Sequence, residues 1–166
     1  MNHLAALAVS LLIGSTLLVS SCATPYDIGN ADPRVTPVEA AKNVAGMVNR
    51  TVAWGGLITA AKNLKEKSEI EVVGYPLDSE NRPNSDAKPT GRFLVTQPGY
   101  LETADYAPGR LITVVGAVTE TRHGMVGEAN YVYPVVVATK LQLWPKSSLD
   151  RREPSFHFGI GVGVIH

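Results

Sequence analysis

The chain contains a single cysteine, Cys22, whose position indicates the chemistry that it undergoes. An uncharged apolar run covers residues 4–19, and Ser20 and Ser21 separate it from the cysteine. Such a run is typical of a secretory signal peptide and is short for a membrane span. The pattern resembles the bacterial lipobox, in which the cysteine thiol accepts a lipid. We therefore expect cleavage between Ser21 and Cys22, with a diacylglycerol group and an N-acyl chain such as palmitate on Cys22.

The residues around this motif leave one alternative open. The first three residues include no Lys or Arg, whereas signal peptides normally begin with positive charge. Either the amino terminus and His3 supply that charge, or the true start lies upstream. The alternative is a buried N-terminal helix that ends in a core cysteine. Polar sequence with a proline follows Cys22 at once, which favours the signal peptide, and Ala23 in place of Asp favours, by analogy with enteric bacteria, export to the outer membrane facing the periplasm.

Other residue types that do chemistry form no recognisable catalytic or metal-binding constellation. A zinc site needs three or four convergent ligands, and the spacing of the histidines supports none. The sequence contains no Gly-x-Ser-x-Gly elbow. The histidines are His3, His123, His157 and His166. We therefore expect no catalytic residue, no metal and no cofactor beyond the covalent lipid.

Two pairs of acidic residues keep an enzymatic alternative open. Glu69 with Glu71, and Glu102 with Asp105, are close in sequence, and glycosidases use two carboxylates across a cleft. Acids on a solvated strand face are the commoner case, so a small periplasmic hydrolase acting on envelope material remains only the alternative. Lys plus Arg equals Asp plus Glu at 15 each, which argues against nucleic acid as the partner.

Aromatic residues are the candidates for a partner surface. Trp54, Tyr131 and Tyr133 are able to stack on sugars or peptides, or to pack in a core or at a barrel rim. In the C-terminal tail, Phe156 and Phe158 begin an alternation of apolar residues with His or Gly that continues to Val164. The tail is either an extra strand on its own barrel or an arm that drives self-association by pairing with another chain.

The elements that carry these residues are mostly strands. Thr36-Pro37-Val38-Glu39 reads as a capping box that opens a helix of about three turns, ending near Gly46 and Asn49. Alternating apolar residues then predict strands, with Pro134 at a bulge or an edge because it lacks an amide proton. The predicted strands cover 52–58, 69–75, 92–97, 111–121 and 131–144, with a turn at 62–67 and a hairpin loop at 123–127.

Short strands without intervening helices predict an all-β fold, a small OB-like β-barrel of five or six strands with a short N-terminal helix. Glycines inside the strands suit a sharply coiled barrel, and a two-sheet β-sandwich is the alternative. The domain plan has a signal peptide (1–21), a lipidated tether (22–35), the barrel domain (36–146) and a C-terminal tail or extra strand (147–166).

Several runs of residues between about 48 and 144 are distinctive in order and spacing. They include Val52-Ala53-Trp54-Gly55-Gly56-Leu57-Ile58, Gly91-Arg92-Phe93-Leu94, Leu111-Ile112-Thr113-Val114-Val115-Gly116 and Gln142-Leu143-Trp144. Together with Cys22 upstream, they resemble the Slp family of outer-membrane lipoproteins.

This resemblance implies an outer-membrane lipoprotein linked to carbon starvation and stationary phase, and it brings no enzymatic activity, cofactor or catalytic residue. We expect a lipid-anchored, non-enzymatic envelope component. Its partners would be the membrane and either an envelope protein or peptidoglycan.

Overall fold

The fold was analysed in a computed structural model that describes residues 24–145. One α-helix and five strands account for its regular structure, together with a 3-10 turn at Val44–Gly46. The elements are α1 (Pro37–Lys42), β1 (Thr51–Asn63), β2 (Lys67–Tyr75), β3 (Gly91–Pro98), β4 (Leu111–Val126) and β5 (Ala129–Leu143).

The strands close into a barrel in the order β1-β2-β3-β5-β4. All neighbours are antiparallel except β3 and β5, which run parallel over a short register from Leu94 with Val135 to Thr96 with Val137. The predicted all-β, OB-like barrel with a short N-terminal helix is confirmed, and the sandwich alternative is wrong because one sheet closes on itself.

Two strand glycines allow the barrel to close tightly. A Cβ atom on Gly56 would lie 2.0 Å from the carbonyl oxygen of Val73, and one on Gly116 would lie 2.2 Å from that of Val137. Neighbouring strands approach at these points closer than any side chain permits. Glycine at both positions therefore has a packing reason, which is the close approach of a neighbouring backbone.

The interior of the barrel is apolar, and side chains from outside the strands pack against it. Trp54 and Phe93 pack edge to face in the core with ring centroids 5.2 Å apart. Met47 and, from the β3–β4 connection, Leu101 and Tyr106 pack against this core. The largest fully buried side chains of this core are Phe93, Ile58, Ile70, Ile112, Val52, Val72, Val95, Val114, Val118 and Val136.

Helix α1 begins as predicted but is shorter than predicted. Thr36 and Glu39 form the reciprocal capping box, with the Thr36 N–H donating to the Glu39 carboxylate at 2.8 Å. The helix ends at Lys42 rather than after three turns. Asn43 leaves helical geometry and its side chain accepts the Gly46 N–H, so a 3-10 turn replaces the remaining helix.

The hairpin between β4 and β5 is longer than predicted. The expected loop at 123–127 is strand as far as Val126, and only Gly127 and Glu128 form the turn. Gly127 has a φ of 58°, which a tight hairpin turn needs. Pro134 lies before β5 begins to pair with β3, so among residues 24–145 its strand neighbour is β4 alone, as an edge position requires.

Residues 24–35 of the segment for which a tether is predicted are described by the structure. From Tyr26 onward the chain lies against the outside of the barrel, where Tyr26, Ile28 and Ala31 pack on Ala53 and Val115. Asp32 bridges to Val52 of β1. The docked segment therefore begins only four residues after Cys22.

Candidate functional site: the docked segment and the hairpin arm

The N-terminal segment is held by contacts to distant parts of the chain. The Tyr26 N–H donates to the Glu80 carbonyl at 3.0 Å, and the Asn81 side chain donates to the Tyr26 carbonyl at 2.8 Å. The Tyr26 ring packs edge to face on Trp144, just beyond β5, with centroids 6.5 Å apart. Tyr26, which follows Cys22, and Trp144, which precedes the C-terminal tail, therefore lie next to each other on the barrel.

A surface ion pair reinforces this docking. Lys140 of β5 donates to the Asp27 carboxylate at 2.8 Å. The hydrogen bond from Lys140 lowers the pKa of Asp27, and the same bond raises the pKa of Lys140. Both groups are charged at neutral pH, so the pair orients the segment across the end of β5.

Trp144 links the docked segment to the loop after β2. Its indole N–H donates to the Thr113 hydroxyl at 2.9 Å, and the Arg82 guanidinium lies 5.7 Å from its ring centroid. Arg82 also lines an open, polar cleft of about 510 Å³, together with Leu111 and other residues of the loop after β2. This side of the barrel thus combines aromatic rings with charged groups.

A second polar cluster lies on the outer face of β2, under the outer half of the β4–β5 hairpin (residues 119–135), here called the hairpin arm. Glu69 of β2 is 5% exposed and binds Lys62 at 3.0 Å and Arg122 of the arm. Burial raises the pKa of Glu69, but the hydrogen bonds from Lys62 and Arg122 outweigh it and leave the pKa below its ordinary value. Glu69 is thus a charged anchor for the arm.

Glu71 anchors the arm at a second point. Arg92 of β3 binds its carboxylate at 2.7 Å, and the Tyr133 hydroxyl donates to the same oxygen at 3.2 Å. The Arg92 N–H donates to the Tyr131 hydroxyl at 2.8 Å, and the two tyrosine rings pack edge to face at 4.8 Å. Burial, followed by the Glu71 charge, raises the pKa of Tyr133. The arm is therefore fixed to the barrel wall by hydrogen bonds as well as by packing.

Two of the predicted partner residues are buried, one in the barrel core and one between the hairpin arm and the barrel wall. Trp54 is 3% exposed and donates its indole N–H to the Val35 carbonyl at 2.6 Å, so it serves the core. Tyr133 of the arm is 4% exposed, while Tyr131 of the arm is half-buried. Neither Trp54 nor Tyr133 is available as a partner surface. Ser21, Cys22, Phe156 and Phe158 lie outside the described residues.

The acid pair on β2 is less solvated than expected, whereas Glu102 and Asp105 lie exposed on a loop as predicted. Glu69 and Glu71 share a strand face, but each is neutralised by a basic partner. Glu102 and Asp105 lie in the β3–β4 connection, where the Glu102 carbonyl accepts the Asp105 N–H at 3.0 Å. Between residues 24 and 145, no three His, Cys, Asp or Glu side chains converge as a metal site would require.

Sequence reasoning missed the basic partners of these acids and the aromatic contact of Tyr26. The signal was weak, because Lys62, Arg92 and Arg122 lie on different strands and nothing in their local pattern pairs them with Glu69 or Glu71. No helix of the described part of the chain is long and apolar enough to cross a membrane.

Solved structures with a similar fold include two single-stranded DNA-binding proteins. The mitochondrial protein Rim1 of S. cerevisiae has a TM-score of 0.38 and 11% identity, covering 60% of this chain and 98% of that one. A small protein of Streptomyces coelicolor has a TM-score of 0.36 and 14% identity, covering 58% of this chain and 95% of that one. At these scores the likeness has no bearing on function.

Sequence relatives are closer. The lipoprotein YeaY of Escherichia coli is 31% identical over 133 residues, 77% of this chain and 67% of that protein. An uncharacterized Haemophilus influenzae protein is 35% identical over 60% of this chain, which spans only 54% of its length. The outer membrane protein Slp of E. coli is 27% identical over 81% of this chain and 73% of that protein. The sequence profile of the outer membrane lipoprotein Slp family matches residues 19–160, and the chain belongs to this family.

Proposed function

We propose that the protein is attached to the outer membrane through a lipid on Cys22, faces the periplasm, and acts as a non-enzymatic envelope component that binds an envelope partner. The observation that carries this proposal is the docking of the chain at Tyr26, four residues after Cys22. Four extended residues span at most about 14 Å. A lipid on Cys22 would therefore hold this side of the barrel close to the bilayer.

The residues on this side suit a membrane surface. Tyr26 and Trp144 pack together there, and both residue types favour the boundary between apolar and wet surroundings. Arg82 adds a positive charge beside the Trp144 ring. The lipid supplies the affinity, at ~0.8 kcal/mol per buried methylene, and the aromatic groups would orient the barrel.

This attachment directs the tip of the hairpin arm away from the membrane. Strand β5 covers 15 residues from the arm tip to Leu143, which corresponds to roughly 45 Å along the strand. Met125, near the tip, is 55% exposed. The arm tip is therefore the part of the barrel best placed to meet a partner in the periplasm, either a protein or peptidoglycan.

The charge and the contacts of Glu69 and Glu71 support the proposal that the protein is not an enzyme. A hydrolytic acid pair needs one carboxyl that holds a proton near neutral pH, which a raised pKa provides. The pKa of Glu69 is lowered instead, and Glu71 is engaged by Arg92 and Tyr133. These contacts favour a structural role for the two acids. From its resemblance to the family, we further propose that the protein serves in starvation and stationary phase.

The anchor is tested by metabolic labelling with a fatty-acid probe in the wild type and in Cys22→Ser, followed by membrane fractionation. We expect label in the outer-membrane fraction for the wild type and none for the variant. Label retained by Cys22→Ser would contradict attachment through this thiol. Ser20→Ala is the matched control, because it leaves the cysteine and a small residue in place.

Partner binding is tested with a photo-crosslinking residue placed at Met125 in cells. Tyr100, 73% exposed on the β3–β4 connection, is the control position. We expect a defined protein adduct, or co-sedimentation with peptidoglycan, that depends on the Met125 position. Equal capture at both positions, or capture at neither, would overturn the assignment of the arm tip.

A further inference from the structure

Strand β5 has one edge that no described strand covers along its last part. It pairs with β4 down to Leu143, whereas its pairing with β3 ends at Val137. For residues 138–143, no strand within 24–145 lies on the side away from β4. An uncovered strand edge is a template for pairing with a further strand.

The hydrogen bond of Trp144, the residue after this edge, shows which backbone N–H groups of β5 point outward. The Trp144 N–H donates to the Leu111 carbonyl of β4 at 2.9 Å. In an antiparallel pair, bonding directions alternate along the strand, so the N–H groups of Leu143 and Leu141 point away from β4. Those of Gln142 and Lys140 point towards it. Leu141 and Leu143 therefore present two outward N–H groups at the open edge.

The side chains that pack against the core at this edge are apolar and only partly buried. Ala138, Leu141 and Leu143 are only partly buried where they pack against the core. A largely apolar cleft of about 300 Å³ adjoins the point where β3 and β5 separate, lined in part by Gln97, Pro98 and Val137. The side-chain carbonyl oxygen of Gln97 is buried and accepts no hydrogen bond from the described residues. An unpaired buried acceptor is costly, so a donor is expected there.

We propose that the C-terminal tail fills this edge as a sixth strand, with residues of the segment 156–164 antiparallel to β5. Eleven residues, 145–155, separate Trp144 from Phe156, which is enough chain for a reversal. Nine residues of extended tail cover about 30 Å, more than the roughly 20 Å of open edge. The tail thus reaches the full length of residues 138–143.

The residue pattern of the tail gives a strand with one apolar face, which matches the apolar side chains at this edge. Phe156, Phe158, Ile160, Val162 and Val164 alternate with His157, Gly159, Gly161 and Gly163. With the apolar side chains turned inward, they would lie beside Leu141 and Leu143 and complete the rim of the core. The glycines would face outward. Pairing within one molecule is favoured over pairing between molecules because a short connection keeps the tail at a high effective concentration.

The experiment is residue-resolved amide hydrogen exchange on the full mature chain in detergent. We expect the Leu141 and Leu143 amides to be protected in the wild type, and Ile160→Pro to speed their exchange by about tenfold or more, because proline cannot pair in a strand. The Gln142 amide, which points to β4, should be unchanged. Ser148→Pro, in the connection, is the matched control and should leave all three amides as in the wild type.

Three results would overturn the proposal. The first is free exchange of the Leu141 and Leu143 amides in the wild type. The second is unchanged protection of these amides in Ile160→Pro, and the third concerns a second copy of the chain. Protection that falls on dilution, together with a dimer by light scattering that Ile160→Pro abolishes, would assign the tail to the edge of a second copy. A concentration-independent monomer with protected Leu141 and Leu143 amides supports pairing within one chain.

Discussion

The guanidinium of Arg122 binds the carboxylate of Glu69 across 53 positions of sequence, and this contact joins the hairpin arm to the outer face of β2. The hydrogen bonds of Tyr133 to Glu71 and of Arg92 to Tyr131 fix the arm at a second point. The nearly buried Glu69 also requires a positive partner, because an unpaired charge in that position would be costly.

Replacing Arg122 by Met tests this anchor while retaining most of the aliphatic stem. We expect the free energy of unfolding to fall by about 1–2 kcal/mol, discounted because the arginine is partly exposed. Urea denaturation measures the change. The double variant Arg122→Met with Glu69→Gln should lose less than the sum of the single variants, since the interaction between the two side chains is then lost only once. Strictly additive losses would show that the two side chains do not interact.

The pH dependence of stability should report Glu69. Its pKa in the folded state lies below the ordinary value of 4.5, so its contribution to stability is present above 4.5 and is lost as the pH falls through the folded pKa. We expect the wild type to lose more stability than Glu69→Gln between about pH 6 and about pH 3. Chemical denaturation at each pH gives the two curves. Glu128→Gln, at the exposed hairpin turn, is the control and should give the same curve as the wild type. Parallel curves for the wild type and Glu69→Gln would show that Glu69 does not cause the pH dependence.

Gly116→Ala should prevent normal closure of the barrel. The added methyl group would meet the Val137 carbonyl oxygen at 2.2 Å, and backbone cannot move aside without breaking the β4–β5 pairing. We expect a loss of about 3 kcal/mol or more in the free energy of unfolding, measured by urea denaturation. Gly127→Asn is the control, because its surroundings are open and Asn tolerates positive φ. Similar stability for the two variants would contradict the close approach.

The docking of the N-terminal segment should depend on Lys140. We expect Lys140→Asp to increase protease cleavage within residues 24–30, because it places a second negative charge beside Asp27. Limited proteolysis followed by mass spectrometry locates the cuts. The double variant Lys140→Asp with Asp27→Lys should restore protection. Cleavage that is unaffected by Lys140→Asp would mean that packing of Tyr26 alone holds the segment.

The sequence alone determined the elements whose cause is local. Alternation of apolar residues predicted all five strands, and Thr36 with Glu39 predicted the start of the helix, because both patterns act over a few residues. The motif at Cys22 is equally local, and lipid attachment there stays a prediction. Asn43 ended the helix early through a side-chain bond that competes with helical geometry, which periodicity does not reveal.

Only the tertiary structure decided which charges and rings meet. Lys140 and Asp27 are 113 positions apart, and they meet because the N-terminal segment crosses the end of β5. Arg122 reaches Glu69 because barrel curvature brings the hairpin arm over β2. Trp54 is core rather than surface because the register of β1 turns it inward towards Phe93. Such contacts depend on strand order, register and closure, which are properties of the whole chain and leave no local signature.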